Sequence, residues 1–198
     1  MDIPANARHM LEAQGSARAR DLRAAGLESA QIARLVVRGE LIRLSRGVYA
    51  LPGREPSGDE ALIVVARRVP DGFFCLLTAL RFHGITTQAP HAVWLGLGTG
   101  RHSPRLDWPS LRIVRYSGPG LSAGIETRVR DGLQLRVTSV ARTVVDCFKF
   151  RNKIGLDVAL EALAQVRRER LAGNDELWQL ASQFRMANVM RPYLESLA

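Results

Sequence analysis

The chain has 198 residues, 46% hydrophobic and 24% charged, with a net charge of +9. That apolar content supports a packed core in one or two domains and excludes a disordered polyelectrolyte. The positive balance points to an acidic partner. The polar opening MDIPANARHM, and the lack of any apolar run near the roughly 20 residues of a bilayer span, set the expectation of a cytoplasmic protein without signal peptide or membrane helix.

All but two of the 28 basic residues are arginine, the exceptions being Lys149 and Lys153. Heavy arginine usage also follows from GC-rich coding, so position matters more than number. Residues 1–54 hold a net +4 and residues 55–198 a net +5. Positive charge is therefore denser in the short N-terminal part, which suits a polyanion footprint there.

In chain order, Asn6 is placed to cap a first helix over about 7–14, with Met10 and Leu11 inward and Gly15 as its stop. Ser16 is placed to cap a second helix, ARARDLRAAG, which ends at Gly26. A third helix runs from about Glu28 to Arg38 and stops at Gly39. Ile32, Leu35 and Val36 form its apolar stripe, leaving Gln31, Arg34 and Arg38 together on another side. The connection between the second and third helices is the short turn of a helix-turn-helix.

LIRLSRGVYAL then reads as a hairpin with Arg46-Gly47 at the tip. In that register Leu44 pairs with Tyr49 and Ile42 with Leu51, so these four share an inner face. Arg43 and Ser45 point outward. Helix, helix, helix and basic hairpin is the layout of a winged helix-turn-helix. Such folds lay the third helix in a major groove, where Arg and Gln read base edges. Basic hairpin tips hold phosphates and supply salt-dependent affinity.

Pro52-Gly53 and REPSGDE form a linker, which places a domain boundary near 52–58. Helices over about 58–69 and 74–83 follow. AVWLGLG (92–98), LRIVRY (111–116), IETRVR (125–130) and LQLRV (133–137) read as strands, the last two joined by the hairpin signal Asp131-Gly132. Ser139 caps a helix with Val140, Val144, Cys147 and Phe148 on one face. Leu156, Leu160 and Leu163 mark another helix. Asn174 caps a third, with Leu177, Leu180 and Phe184 inside. A last helix covers about 188–197, and Pro192 kinks it or sets its first turn. The expected fold class is α+β: a winged helix-turn-helix at 1–53, then a mixed α/β domain at 58–198 with a small sheet and a C-terminal helical bundle.

Cys75 and Cys147 stand in apolar runs (FFCLL and VDCFKF) and are expected as reduced core thiols. His83, His91 and His102 have no zinc-ligand spacing, so no metal is expected. The glycines of LGLGTG lack a following G-K-[ST], which argues against a phosphate loop. Region 55–198 has isolated acids and two lysines in one short stretch, not the carboxylate cluster of a nuclease. No enzyme activity and no cofactor are expected.

The run LRAAGLESAQIARLVVRGELIRLSRGVYALPG resembles the winged-helix domain of AbiEi-type antitoxins, the antitoxin halves of bacterial type IV toxin–antitoxin pairs. VTSVARTVVDCFKFRNKIGLDVALEAL, with RPYLESL at the end, is similar to the second domain of the same family. The stretch from about 55 to 130 matches only in layout. The resemblance implies an N-terminal domain that binds operator DNA and represses its own operon. It also implies a C-terminal domain that counteracts a nucleotidyltransferase-like toxin. Carried over by position, the DNA-facing candidates are Gln31, Arg34 and Arg38 on the reading helix and Arg43 and Arg46 on the wing. Arg18, Arg20 and Arg23 are secondary phosphate candidates.

Two readings stand for Arg142 and Asp146. At i, i+4 they form an intrahelical ion pair; or, with Lys149, Arg151 and Lys153, they belong to a basic surface facing a toxin or RNA. The alternative to a DNA-binding antitoxin is a protein-interaction module that binds a toxin enzyme directly, its winged helix serving only as a docking surface.

Overall fold

The computed structural model describes residues 3–53, 59–85, 90–130 and 132–196. Its architecture is α+β: an N-terminal winged helix-turn-helix, a five-stranded sheet and a helical C-terminus. The chain divides into two compact units. One holds residues 1–70, 104–110 and 128–135; the other holds 71–103, 111–127 and 136–198.

The N-terminal elements are α1 (Ala5–Gln14), β1 (Ala17–Arg18), α2 (Ala19–Ala24), α3 (Ser29–Val37), β2 (Ile42–Ser45), β3 (Val48–Ala50) and α4 (Glu60–Arg68). α1 begins behind Pro4, whose φ of -52° already suits a helix, and not behind Asn6. Ser16 does not cap α2. It is fully buried and leads into β1, which pairs with β3 through Ala17↔Tyr49 and Arg18↔Val48. A two-residue strand shows no alternation, so periodicity cannot reveal it. Ile3, Leu11, Leu22, Leu27, Ile32, Leu35 and Leu41 close one cluster under the three helices, with Val36 and Tyr49 packed against it.

The wing is a three-stranded sheet in the order β1-β3-β2. Its register differs from the expected one. Ser45 faces Val48, as the expected register implies, but Ile42 faces Ala50 and Arg43 faces Tyr49, with an irregularity between Arg43 and Ser45. Leu44 is the extra residue, and a bulge there shifts the pairs that precede it, Arg43 and Ile42, by one. Ile42, expected inside, is 37% exposed, and the buried residues of β3 are Val48 and Ala50. Gly47 makes the turn at φ 76°, a conformation that costs a side chain about 1–2 kcal/mol. Of the expected linker, residues 54–58 lie outside the described ones.

The remaining elements are β4 (Phe73–Phe74), α5 (Leu76–Phe82), β5 (Val93–Gly98), β6 (Leu111–Tyr116), a 3-10 turn (Gly118–Leu121), β7 (Ile125–Arg130), β8 (Leu133–Thr138), α6 (Val140–Lys149), α7 (Arg151–Ile154), α8 (Leu156–Arg168), α9 (Asn174–Gln183) and α10 (Ala187–Ser196). The sheet order is β6-β5-β4-β8-β7. β4 runs antiparallel to β5 and parallel to β8, and β5 runs parallel to β6. Phe73 stands opposite Gly96, and its ring fills the space a side chain there would need. β7 and β8 are neighbours as the hairpin signal requires; Asp131 lies outside the described residues, and Gly132 turns at φ 68°.

α6 is the centre of the helical part. Every residue from Ala141 to Phe148 is buried, and α5, α8 and α9 pack around it. Ser139 caps it as expected, its Oγ accepting from the Arg142 N–H at 3.2 Å. Leu156 does not face this core and is 38% exposed, whereas Val158, Ala159, Ala162, Leu163 and Val166 do. Gly173, not Asn174, holds the cap position of α9. Pro192 falls inside α10.

Candidate nucleic-acid interface

Hydrophobic burial fixes how α3 is presented. Ile32 and Leu35 sink into the N-terminal cluster, so the opposite side must face out. The exposed residues on that side are Ala30, Ala33, Arg34, Val37 and Arg38. Val37, the last residue of α3, is 89% exposed, a large apolar side chain facing solvent. Two alanines beside it keep the helix slim. A helix that must enter a groove benefits from both, because small residues allow close approach and an aliphatic methyl suits a thymine methyl.

The five candidates on α3 and the wing are placed differently. Arg34 is exposed, and its Nε folds back to donate to the Ala30 carbonyl at 3.3 Å. Arg38 follows α3 as its C-terminal flank, 3.8 Å from the Glu40 carboxylate, in a loose surface pair. Gln31 is half-buried at the edge of the apolar stripe. Its Oε1 accepts from the Glu28 N–H at 2.7 Å and closes a capping box. Arg43 and Arg46 are both exposed on the wing, with Arg43 Nε 3.4 Å from the Ser45 carbonyl.

The three α2-side candidates also separate. Arg20 is exposed and paired with Asp21 at 3.3 Å; Arg23 is exposed on the last turn of α2. Arg18 is the half-buried residue before α2. Burial lowers its proton affinity, neighbouring Arg20 and Arg68 lower it further, and Asp21 opposes them. Arg67, on α4, is buried and donates from Nη2 to the Ser16 carbonyl at 2.5 Å. Burial lowers its pKa too.

Sequence reasoning missed Val37, Ala30 and Ala33. The signal was present: Val37 sits one residue beyond the stripe, about 100° away from it, where an apolar residue has no core to join.

Arg142 and Asp146 are in the core, which corrects the surface reading for these two. Both side chains are 0% exposed, and Arg142 Nε lies 3.0 Å from Asp146 Oδ1. The Tyr116 hydroxyl donates to Asp146 Oδ2 at 2.9 Å. Arg142 donates to the carbonyls of Ala123 and Gly120, which ties the segment before β7 to α6. Burial raises the Asp146 carboxyl above its usual range, with Arg142 and Tyr116 pulling it back. Lys149 and Lys153 remain exposed, and Arg151 is half-buried, its Nη1 donating to the Phe148 carbonyl at 2.8 Å. Tyr116 and Phe184, which complete this buried group, were not anticipated, because nothing local links them to α6.

Cys75 and Cys147 are free and buried. His83 Nε2 lies 2.7 Å from the Thr138 carbonyl. Among the described residues no group of three His, Cys, Asp or Glu side chains is arranged to hold a metal, and no helix is long and apolar enough to cross a membrane.

Residues 10–52 match the family described as transcriptional regulator, AbiEi antitoxin. A similar solved structure is that of the RV2827C protein from Mycobacterium tuberculosis. It has a TM-score of 0.61 and 16% identity, over 91% of this chain and 72% of that one. At that identity the likeness concerns the fold. No curated protein matches the chain in sequence.

Proposed function

We propose that this chain is a DNA-binding regulator of the AbiEi antitoxin kind, a reading that the match over residues 10–52 supports, and that it represses its own operon and opposes a nucleotidyltransferase-like toxin of a type IV pair. In this reading residues 1–53 form the DNA-binding domain and residues 58–198 the antitoxin domain, acting in the cytoplasm without enzymatic chemistry. α3 enters the major groove of operator DNA, Arg34 and Arg38 meet base edges, and Arg43 and Arg46 hold phosphates. Arg18, Arg20 and Arg23 lie on the approach to the backbone.

The observation that carries this reading is the outward face of α3. Ala30, Ala33, Arg34, Val37 and Arg38 are exposed together beside a wing whose exposed arginines are Arg43 and Arg46. A small domain gains no stability from an exposed valine between arginines. A groove with acidic walls and an apolar methyl on its floor gives each of them a partner. On the antitoxin side, Lys149, Arg151 and Lys153 are the residues left for a basic surface once Arg142 and Asp146 are in the core.

The test is a gel-shift titration on DNA from upstream of the chain's own gene and on a scrambled duplex. Preferential binding of the upstream DNA, lost in an Arg34→Ala/Arg38→Ala double variant, is expected. Equal binding of both duplexes by the unaltered chain would remove the repressor reading. Co-expression with the product of the adjacent gene tests the antitoxin half: growth is rescued with the full chain and fails without it.

A further inference from the structure

Three segments of the N-terminal unit converge on Gly47. The Ala19 N–H donates to the Gly47 carbonyl at 3.0 Å, which sets the start of α2 against the wing turn. Arg68 Nη1, from the last turn of α4, lies 3.7 Å from the point where a Cβ on Gly47 would stand. Arg46 occupies the turn itself and is exposed. Arg18 and Arg20 sit at the entry to α2, one residue on each side of Ala19.

Arg18 and Arg20, at the entry to α2, and Arg68, on α4, thus come together at the wing turn, whose exposed residue is Arg46. Asp21, 3.3 Å from Arg20 Nε, offsets part of their charge. Arg18 feels both Arg20 and Arg68 as repulsive neighbours. The neighbour on α4 explains why Arg68 stays put. Arg67 is buried and its Nη2 is bonded to the Ser16 carbonyl, so the end of α4 is anchored and the next side chain is held at the surface. A cation in the last turn of a helix also answers the helix dipole. That accounts for an arginine on α4; it does not account for its Nη1 lying against Gly47 of the wing turn. Like charges assembled on a surface repel one another until a polyanion neutralises them.

We propose that Arg68 is a phosphate-contacting residue, so that the DNA interface runs past the winged helix into α4, beyond the segment that matches the antitoxin family. The proposal rests on the duplex-binding reading above. It adds a backbone clamp and no base specificity, because a guanidinium on the wing side of the domain reaches phosphates and not base edges.

The experiment is a fluorescence-anisotropy titration of the full chain with a labelled mixed-sequence duplex, repeated over a range of salt concentrations. Each lost phosphate contact lowers the slope of log affinity against log salt by about 0.9. Arg68→Gln is expected to lower the slope by about that amount and weaken binding several-fold at low salt, and Arg68→Lys to keep the slope. An Arg68→Gln slope and affinity equal to those of the unaltered chain, while Arg43→Ala lowers both, overturns the proposal and leaves the duplex-binding reading intact. A lowered slope in Arg68→Lys as well overturns it too, since the charge would still be present. No salt-dependent duplex binding by the unaltered chain overturns both.

Discussion

The Arg142 guanidinium carbon lies 3.9 Å from the centre of the Phe184 ring, with Tyr116 on another side at 5.3 Å. A charged group in a fully buried place is kept there by several partners at once. Its donors go to Ala123 and Gly120, its charge is met by Asp146, and its faces are covered by rings. Removing the side chain leaves Asp146 as a buried carboxylate without its cation. Arg142→Ala is therefore expected to destabilise the chain by about 3–5 kcal/mol in chemical denaturation. Arg142→Lys is expected to rescue little, because an ammonium cannot reach both carbonyls and lie against Phe184 as the planar fork does.

The two thiols provide a second check on the same core. Burial pushes the Cys147 thiol well above its ordinary value, and Asp146 adds to the effect; Cys75 is pushed up likewise. The thiolate is the reactive form, so both residues are expected to resist a thiol reagent in the native chain and to titrate fully in denaturant. Reaction of either cysteine before unfolding would show that the α6 core opens readily.

How much of this was legible in the sequence depends on how local the cause is. The inward stripe of α3 repeats within one helix, so Ile32 and Leu35 announced themselves. Asp131-Gly132 marked the β7–β8 turn for the same reason. The wing register was hidden, because the bulge at Leu44 depends on how β2 meets β3 and not on either strand alone. β4 was hidden in the apolar run before α5, where periodicity cannot separate strand from buried helix. Arg142 and Asp146 showed their i, i+4 spacing, but their burial depends on Tyr116 and Phe184, which are far along the chain. On the candidate interface, the charges were readable. Gln31's part in the capping box needed the helix in place, whereas Val37's position off the apolar stripe was readable from spacing alone.

The α3 and wing arginines are expected to fail in different ways. If α3 reads bases as proposed, Arg34→Ala and Arg38→Ala are each expected to cost ~1–3 kcal/mol on the upstream DNA and much less on scrambled DNA. Arg43→Ala is expected to weaken both duplexes alike and to flatten the salt dependence by about one contact. Paired gel shifts on the two duplexes separate these outcomes. Uniform loss in all three variants would reduce α3 to a backbone-binding helix.

Val37 is expected to matter for binding and not for folding. At 89% exposure it contributes little to the core, so Val37→Glu is expected to leave the melting curve nearly unchanged. The same change puts a carboxylate against acidic groove walls and is expected to abolish duplex binding. Val37→Glu binding as well as the unaltered chain would place the DNA on some other face.

Gln31 poses the sharpest choice between support and readout. Its amide oxygen is already taken by the Glu28 N–H at 2.7 Å, at the start of the helix that would enter the groove. Losing a cap of this kind costs about 1 kcal/mol and frays the first turn. Gln31→Ala is therefore expected to lower stability by about that amount and to weaken binding to upstream and scrambled DNA in the same proportion, through a less ordered α3. Gln31→Glu keeps an acceptor for the Glu28 N–H and is expected to recover the stability. A loss confined to the upstream duplex, with the melt unchanged, would instead make Gln31 a reader of bases, its amide leaving Glu28 when DNA arrives.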